Sequence, residues 1–343
     1  MKVGVRVPCY RAWCGRDEVL AIASLAEAAG FDSLWVQDHL VAPVGSGDDV
    51  VVRGLDDWMT PASTPGRKTL QEYYAGDDWW LEPFVTWGFL AAATTRVMLA
   101  SDIVVVPYRN PLVQAKMIGT LDVLSGGRMI IGTGSGHVAA ESSALGVDFD
   151  VRGRMHDEYL RVITLMLSAE EVAFDGEFIR FGPLRTMIRP VQQPHPPIYV
   201  GGHGKRAIRR AAELGDGWLP SVTDPDALAR GIEELRLACA RIGRDRLPTI
   251  ALSLPSLFRF DTGAGRGSGS RPVTTTEAAI ALLRRFEEIG VEHVSLGFPM
   301  PNVSVYLAQI THFADEVLPA VRTAPDTSAA IDPDGRRTRG SSR

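Results

Sequence analysis

Apolar residues along the chain fall into short runs, and most runs are followed by a segment whose apolar residues recur at helical spacing. The runs are rich in valine, leucine and isoleucine and lack strict alternation, which is typical of strands covered on both faces in a parallel sheet. The clearest run is Val97–Val106, after which Pro111 opens a helical pattern that continues to Leu124. The pair Gly126-Gly127 predicts the end of that helix. A further strand is predicted at Arg128–Ile131, so this stretch is a strand, a helix and a strand.

The same pattern recurs along the chain and gives eight predicted strands: Lys2–Pro8, Ser33–Val36, Val97–Val106, Arg128–Ile131, Ile198–Val200, Gly217–Leu219, Thr249–Phe260 and Val291–Leu296. The predicted helices are Asp17–Ala29, Pro83–Thr95, Leu112–Leu124, a short one within Ala139–Val147, Arg154–Ala169, Lys205–Leu214, Pro225–Arg241, Thr275–Ile289 and Val303–Leu318. This alternation predicts an α/β fold with a single (β/α)8 barrel of the TIM type and insertion loops, over residues 1–322. An open doubly wound sheet is the alternative, but the first strand-to-helix turn, RVPCYRAWCGRD, lacks a dinucleotide-binding glycine pattern.

Three segments fall outside the predicted barrel. Val172–Phe181 predicts a small hairpin that turns at Asp175-Gly176. Residues 40–82 are long, irregular and rich in aromatic residues, which predicts an ordered loop folded over a pocket. The last residues, 323–343, are dominated by Pro, Asp, Arg, Ser and Gly and are predicted to be disordered.

Composition narrows the class of protein. The net charge of −5 gives no basic surface for nucleic acid, and no apolar run reaches the roughly 20 residues of a membrane span. The first residues lack the apolar core of a signal peptide. The three cysteines, Cys9, Cys14 and Cys239, lack metal-binding spacing. We therefore expect a cytoplasmic protein that acts on small molecules, without nucleic-acid or membrane partners.

In a TIM-type barrel the chemistry lies at the carboxyl ends of the strands. The polar, glycine and aromatic residues at those predicted ends are Asp38-His39, Ser101-Asp102, Ser135-Gly136-His137, Gly201-Gly202-His203-Gly204, Trp218 and Phe298. Histidine and acidic residues do not show convincing metal-ligand spacing, and GTGSG does not match the G-x-S-x-G order of a serine nucleophile. The candidate residues thus converge on one face of the barrel.

These residues also have structural interpretations. His39 is the best candidate for proton transfer because imidazole titrates near neutral pH. The pattern fits equally well a structural arrangement in which Asp38 caps a turn and His39 packs against the long loop. Ser101-Asp102 also fits a satisfied polar pair in a buried strand. The glycine turns Gly132–Gly136 and Gly201–Gly204 fit either the close approach of a ligand or ordinary tight turns.

Three long sequence segments, in this order along the chain, resemble a known family. They are PYRNPLVQAKMIGTLDVLSGGRMIIGTGSG, Gly146–Phe149 with Arg152-Gly153, and PPIYVGGHGKRAIRRAAELGDGW. Together they resemble the luciferase-like monooxygenase superfamily, and within it most the coenzyme F420-dependent oxidoreductases. The likeness extends from Val3 to Phe298. It implies a bacterial-luciferase-like barrel and a homodimer.

The resemblance implies roles for the residues that follow the second and third strands. Asp38 and His39 match an aspartate–histidine pair near the cofactor ring, so both are predicted catalytic and cofactor-binding residues. His39 is assigned to proton transfer or to stabilising charge on the reduced ring. Ser101-Asp102-Ile103 matches a bulge that supports the ring from behind, with a cis peptide bond placed at Asp102–Ile103.

The glycine-rich turns receive cofactor-binding roles from the same resemblance. Gly134-Ser135-Gly136-His137 is predicted to face the edge of the ring and the first hydroxyl groups of its side chain. Some relatives carry a catalytic glutamate where this chain has His137, so a catalytic role for His137 is left open. Gly201-Gly202-His203-Gly204 matches the phosphate-binding turn, in front of a helix.

The matches predict an F420-dependent oxidoreductase that transfers a hydride between the deazaflavin and a small organic substrate, bulky and apolar or unsaturated. Trp58, Trp79 and Trp80 of the long loop are predicted to line the substrate site. The nearest alternative is an FMN-dependent monooxygenase that uses O2 and a separate flavin reductase, since FMN and F420 share a flavin-like ring, a ribityl chain and a first phosphate. The third hypothesis is a non-enzymatic flavin-binding or degenerate barrel.

Overall fold

The computed structural model describes residues 1–42, 79–255, 257–263 and 273–322. In chain order its strands are β1 (Lys2–Arg6), β2 (Ser33–Val36), β3 (Met98–Ser101), β4 (Val104–Val105), β5 (Met129–Gly134), β6 (Glu171–Asp175), β7 (Arg180–Arg185), β8 (Ile198–Gly201), β9 (Gly217–Leu219), β10 (Thr249–Leu254) and β11 (His293–Leu296). Its α-helices are α1 (Arg16–Ala28), α2 (Pro83–Ala93), α3 (Pro111–Ser125), α4 (Ala139–Ala144), α5 (Arg152–Ser168), α6 (Lys205–Leu214), α7 (Pro225–Arg241), α8 (Thr276–Glu288), α9 (Val303–His312) and α10 (Leu318–Arg322).

All of these strands except β6 and β7 join one parallel sheet that closes into a barrel. Neighbours follow chain order around the ring. Closure comes from β1 and β11, where Lys2 lies opposite His293, and from β3 and β5, where Leu99 lies opposite Met129. With β3 and β4 taken as one interrupted strand, the described part of the chain supplies eight barrel strands. The predicted (β/α)8 barrel is confirmed, and the open doubly wound sheet is excluded.

Helix α3 shows why the chain folds locally as predicted. Asn110 accepts a hydrogen bond from the Leu112 amide at 2.9 Å, and Pro111 occupies the first helical turn. At the other end Gly126 adopts a left-handed conformation with a φ of +70°. The helix therefore begins and ends within about one residue of the predicted bounds.

Alternation along the barrel strands separates two apolar layers. On β2, Leu34 and Val36 face outward and join the core between the barrel and the helices. Trp35 faces inward and packs in the barrel interior with the buried side chains of Ala100, Ile130, Tyr199, Leu219 and Ala251. Toward the carboxyl ends of the strands the interior becomes polar, with the buried side chains of Arg6, Ser253 and Ser295. We call this polar end the mouth of the barrel.

Two predicted elements are interrupted in the structure. The strand predicted over Val97–Val106 contains a cis peptide bond at Asp102–Ile103, which separates β3 from β4. This is the position that the resemblance implied. The last helix, predicted over Val303–Leu318, contains a π-helical turn at Phe313–Val317 between α9 and α10. The first interruption puts irregular backbone at the mouth.

The first glycines of the predicted turn after Ile131 belong to β5 and are required by close packing. A Cβ on Gly132 would lie 2.0 Å from the carbonyl oxygen of Ser101, and a Cβ on Gly134 would lie 2.3 Å from Cδ1 of Ile103. β5 therefore continues beyond its predicted end, and the turn itself comes after Gly134.

The segments predicted outside the barrel have different outcomes. The hairpin is confirmed as the antiparallel pair β6 and β7. Most of the long loop, residues 43–78 with Trp58, lies outside the described residues, and so does the predicted tail, residues 323–343. None of the described helices is both long and apolar enough to cross a membrane.

Candidate active site

His39 and Glu141 form a hydrogen-bonded pair at the mouth. His39 follows β2 and Glu141 lies in the first turn of α4, 102 residues further along the chain. Nδ1 of His39 lies 2.8 Å from Oε2 of Glu141, and the two side chains are 11% and 0% exposed. Because Glu141 engages Nδ1, proton exchange between His39 and a ligand would have to use Nε2.

Several donors hold the Glu141 carboxylate in place. Oε1 accepts from the amides of Leu40 at 2.7 Å and Val41 at 3.4 Å, and Oε2 accepts from the Tyr108 hydroxyl at 3.1 Å. Burial alone would raise the pKa of Glu141, but the bonds from His39 and from the two amides outweigh it and hold the pKa below its usual value. A negative charge therefore lies directly beside the His39 ring at neutral pH.

Asp38 has a different set of partners. Arg109 donates to both of its oxygens, from Nη1 to Oδ2 at 2.7 Å and from Nη2 to Oδ1 at 2.9 Å. The Val105 amide donates to Oδ2 at 2.9 Å, and Arg109 also reaches Glu82, the N-cap of α2, at 2.8 Å. Asp38 is thus the buried centre of an ion pair that ties the end of β2 to β4 and to α2.

Aromatic rings enclose His39. Trp80 packs edge-on against it with ring centroids 4.5 Å apart, and His137 does so at 5.4 Å. Trp80 also stacks on Tyr10 at 4.9 Å, whereas Trp79 is 50% exposed. Burial and the neighbouring His39 lower the pKa of His137 to about 4, so the His137 ring is neutral at pH 7.

The turn after β5 is held by two residues of α5. Oγ of Ser135 lies 2.9 Å from Nδ1 of His156. Burial, and then the charge of Arg210, lower the pKa of His156 well below its usual value, so this ring is neutral as well. Gly136 has a φ of +80°, and its carbonyl accepts from Arg152 at 3.0 Å. Contacts with His156 and Arg152 on α5 therefore fix the turn that carries His137.

The turn after β8 is built mainly from backbone. Gly202 has a φ of +101°, and its carbonyl accepts from Nε1 of Trp218 at 2.7 Å. Gly204 is the N-cap of α6, and no side chain of the described residues caps that helix. A Cβ on Gly204 would meet no described atom within 4 Å, so the space beside this N-cap residue is open. Such amides at a helix N-terminus bind anions.

Polar side chains hold the irregular backbone between β3 and β4 from inside the barrel. The Arg6 guanidinium pairs with the Asp102 carboxylate, and both side chains are buried. Arg6 also donates to the Ser253 hydroxyl at 2.5 Å, and Ser295 donates to Asp102 at 3.2 Å. Asp102 is therefore a structural ion-pair partner at the mouth.

The neighbours of Asp102 pack against the adjacent strands. The Ser101 hydroxyl donates to the carbonyl of Gly132 at 2.7 Å, so this buried polar group is satisfied. Ile103 contacts Gly134 and Gly201, where added Cβ atoms would come within 2.9 Å of its side chain. Two of the predicted cofactor-binding glycines thus leave room for Ile103.

The structure places most of the predicted site residues around one mouth, and it adds two that the sequence analysis missed. Glu141 looks from sequence like an acidic residue that compensates a helix dipole. Arg109 falls in a loop with no motif to mark it. Of the three predicted substrate-site tryptophans, Trp80 contacts His39, Trp79 is half-exposed, and Trp58 lies outside the described residues. The described residues contain no cluster of three His, Cys, Asp or Glu side chains suited to a metal ion.

Comparison with known sequences identifies relatives of this chain. A family model described as luciferase-like monooxygenase matches residues 14–264. An uncharacterized protein of Mycobacterium tuberculosis is 32% identical over 280 residues, which are 81% of this chain and 86% of the relative. The FMNH2-dependent dimethylsulfone monooxygenase of Pseudomonas putida is 27% identical over 157 residues, which are 45% of this chain and 43% of the relative.

Two solved structures share the fold. The monooxygenase RslO1 of Streptomyces bottropensis superposes with a TM-score of 0.73 at 22% identity, covering 93% of this chain and 99% of that one. An F420-dependent secondary alcohol dehydrogenase in complex with an F420-acetone adduct superposes with a TM-score of 0.72 at 20% identity, covering 94% and 99%. The proteins similar to this chain therefore include an FMNH2-dependent monooxygenase, by sequence, and an F420-dependent dehydrogenase, by fold.

Proposed function

The chain belongs to the luciferase-like monooxygenase family, and we propose that it is an F420-dependent oxidoreductase acting on a small organic substrate. Members of this family are oxidoreductases or monooxygenases with F420 or FMN. The single observation that carries the proposal is the His39–Glu141 pair. It places at the mouth an imidazole whose Nδ1 is bonded to a buried carboxylate and whose Nε2 would serve for proton transfer. A non-enzymatic binding protein would have no need of this pair.

The residues of the mouth fit a deazaflavin or flavin. The open backbone turn at Gly202–Gly204 suits a phosphate, because α6 lacks a side-chain cap among the described residues and the space beside its N-cap, Gly204, is open. The Ser135–His137 turn and the backbone at Asp102–Ile103 would flank the ring. When bound, the deazaflavin supplies the hydride chemistry.

His39 would move the proton that accompanies the redox step. With Nδ1 held by Glu141, the ring can present Nε2 as a donor when protonated and as an acceptor when neutral. The adjacent carboxylate bonds to Nδ1 and so holds the His39 ring in one orientation. His137 is neutral and packs against His39, so we assign it an orienting role.

Asp38 has a positioning role in this proposal instead of the catalytic role that the resemblance implied. Both of its oxygens are occupied by Arg109, and one also by the Val105 amide. An acid or base must come within hydrogen-bond reach of the reacting group, and these partners stand in the way. Asp38 therefore fixes the backbone from which His39 extends.

The substrate is proposed to be a small organic molecule that has a bulky apolar or aromatic group and a reducible double bond. Trp80 and Tyr10 form a stacked apolar wall next to His39, which supports an apolar substrate face. The homodimer stays a prediction. Exposed apolar side chains on the outer faces of α2 and α3 support it: Val85, Phe89, Val113, Val123 and Leu124.

The test is binding of F420 and of FMN, measured side by side by calorimetry or by quenching of tryptophan fluorescence. Tight F420 binding with weak FMN binding is expected, followed by oxidation of reduced F420 in the presence of unsaturated substrates. Tight FMN binding alone would instead place the enzyme with the FMN-dependent monooxygenases, which need O2 and a separate flavin reductase. Binding of neither would refute the proposal.

A further inference from the structure

Gln37 is a buried amide at the end of β2. The residue is 7% exposed, and neither Oε1 nor Nε2 has a hydrogen-bond partner in the part of the chain that the structure describes. Most buried polar side chains in proteins are paired, since an unpaired donor or acceptor loses its bonds to water without replacement. The Gln37 carboxamide therefore needs an explanation.

Another buried glutamine shows the usual arrangement. Gln309 on α9 is 2% exposed, and its Oε1 accepts from the Phe260 amide at 2.8 Å. Its Nε2 donates to the Phe260 carbonyl at 2.9 Å. The fold is thus able to satisfy a buried glutamine completely, and Gln37 differs from Gln309 in being left unsatisfied.

The alternation of β2, extended one residue beyond its end at Val36, places the Gln37 side chain toward the mouth. Trp35 packs in the barrel interior and Val36 faces the helices, so the side chain two residues after Trp35 faces inward again. In the register of β2 with β3, Val36 lies opposite Ser101. The next position, Gln37, therefore falls beside Asp102 and the cis peptide bond.

The other polar side chains at this level are engaged with one another. Arg6 pairs with Asp102 and donates to Ser253, and Ser295 donates to Asp102. Among the described side chains of this layer, Gln37 is the one that offers both a donor and an acceptor without a protein partner. It directly precedes Asp38 and lies two residues before His39, the residue proposed to transfer the proton.

We propose that Gln37 binds the amide or imide edge of a molecule held in the mouth and so sets the orientation of that molecule. A carboxamide presents an N–H donor and a C=O acceptor in one plane, and its complement is a planar group with a neighbouring acceptor and donor. The pyrimidine ring of a deazaflavin or flavin has such an edge, and so does an amide-bearing substrate. The assignment rests on the proposed function, which places ring and substrate at this mouth.

The first test compares Gln37→Met with Gln309→Met, since methionine keeps the length of the side chain and removes both polar atoms. Without ligand, Gln37→Met is expected to melt at the wild-type temperature or above, because it loses no bond. Gln309→Met is expected to melt lower. The Kd for F420 or FMN, whichever the wild type binds, is expected to rise about tenfold to a hundredfold in Gln37→Met only.

A second measurement separates the two sources of the bound edge. Benzamide serves as the probe, and its binding to enzyme saturated with the cofactor is followed by saturation-transfer NMR. An unchanged cofactor Kd with loss of benzamide binding in Gln37→Met assigns the edge to the substrate. A raised cofactor Kd assigns it to the ring.

The assignment is overturned if cofactor and benzamide binding are both the same in Gln37→Met as in the wild type. A melting temperature well below that of the wild type also overturns it, because Gln37 would then hold the fold together. Failure of the wild type to bind either cofactor refutes the proposed function, and the assignment with it. Tight wild-type binding that Gln37→Met leaves unchanged, in both measurements, refutes the assignment alone.

Discussion

The mouth is built from side chains on one side and from backbone on the other. On the histidine side, which comprises Asp38, His39 and Glu141, buried polar and charged groups are fixed by bonds between distant parts of the chain. On the glycine side, Gly201–Gly204, the functional groups are the amides at the start of α6. The first arrangement can carry a proton, and the second can hold an anion but cannot titrate.

The contrast predicts two kinds of sensitivity. Changes on the histidine side remove a specific functional group, so turnover should suffer more than the affinity for the cofactor. Changes on the glycine side add atoms or strain where a phosphate is expected to bind, so affinity should suffer more than turnover at saturation. If substitutions on both sides changed turnover and cofactor affinity to the same extent, the assignment of proton transfer to one side and phosphate binding to the other would be wrong.

The largest expected effect is on turnover in His39→Ala. Loss of a general acid or base lowers kcat by about a hundredfold to ten-thousandfold, while the cofactor Kd should change little. Glu141→Gln keeps the shape of the partner but removes its charge, so a smaller loss of about tenfold to a hundredfold is expected. Steady-state kinetics and calorimetry on the same preparations give both quantities.

The matched control is His195→Ala, which removes a mostly buried histidine from the connector between β7 and β8. Its kcat should equal that of the wild type. Full turnover in His39→Ala would show that His39 does not transfer the proton. A cofactor Kd raised as strongly as kcat is lowered would show that His39 serves mainly in binding, which would erase the contrast between the two sides.

The next largest effect is expected on stability, in Asp38→Asn. Among the described residues, the substitution leaves the buried Arg109 with only the partly exposed Glu82 as a charged partner, and breaking a buried ion pair costs about 3–5 kcal/mol. Arg180→Ala is the control, because its pair with Asp175 is exposed and such pairs contribute about 0–1 kcal/mol. Urea denaturation measures both.

The pH profile of Asp38→Asn tests whether Asp38 itself titrates during turnover. Below the melting temperature of the variant, a positioning residue leaves the shape of the kcat profile unchanged while lowering its height. Loss of one limb of the profile would restore the catalytic role that the sequence suggested for Asp38.

The fold was predictable because buried parallel strands and amphipathic helices leave a local signal. The bounds of β2, α6, β9 and α7 match the prediction at both ends, since each strand is a compact apolar run and each helix has its own capping and spacing signal. The short polar interruption of β3 was placed by resemblance, because apolar periodicity alone continues across Asp102–Ile103.

The candidate site was less predictable because its decisive contacts join distant residues. Glu141 approaches His39 only after the barrel closes, and Arg109 meets Asp38 across 71 residues of chain. Neither partner carries a local pattern that separates it from a surface charge. Gln37 also gave no signal, since the lack of a partner for a buried amide is a property of the packed interior.

The smallest of these effects is expected on the glycine side, in Gly202→Ala. Gly202 has a φ of +101°, and an added Cβ would lie 3.1 Å from Cβ of Ala207, so the substitution strains the turn in front of α6. The cofactor Kd should rise about tenfold, with kcat at saturation close to the wild-type value.

Gly243→Ala is the matched control, because Gly243 also has a positive φ, +70°, but follows α7 away from the mouth. Both variants should lose similar stability, and only Gly202→Ala should bind the cofactor more weakly. Equal cofactor affinities in the two variants would mean that the turn after β8 does not hold the phosphate, and the glycine side would lose its assigned part in binding.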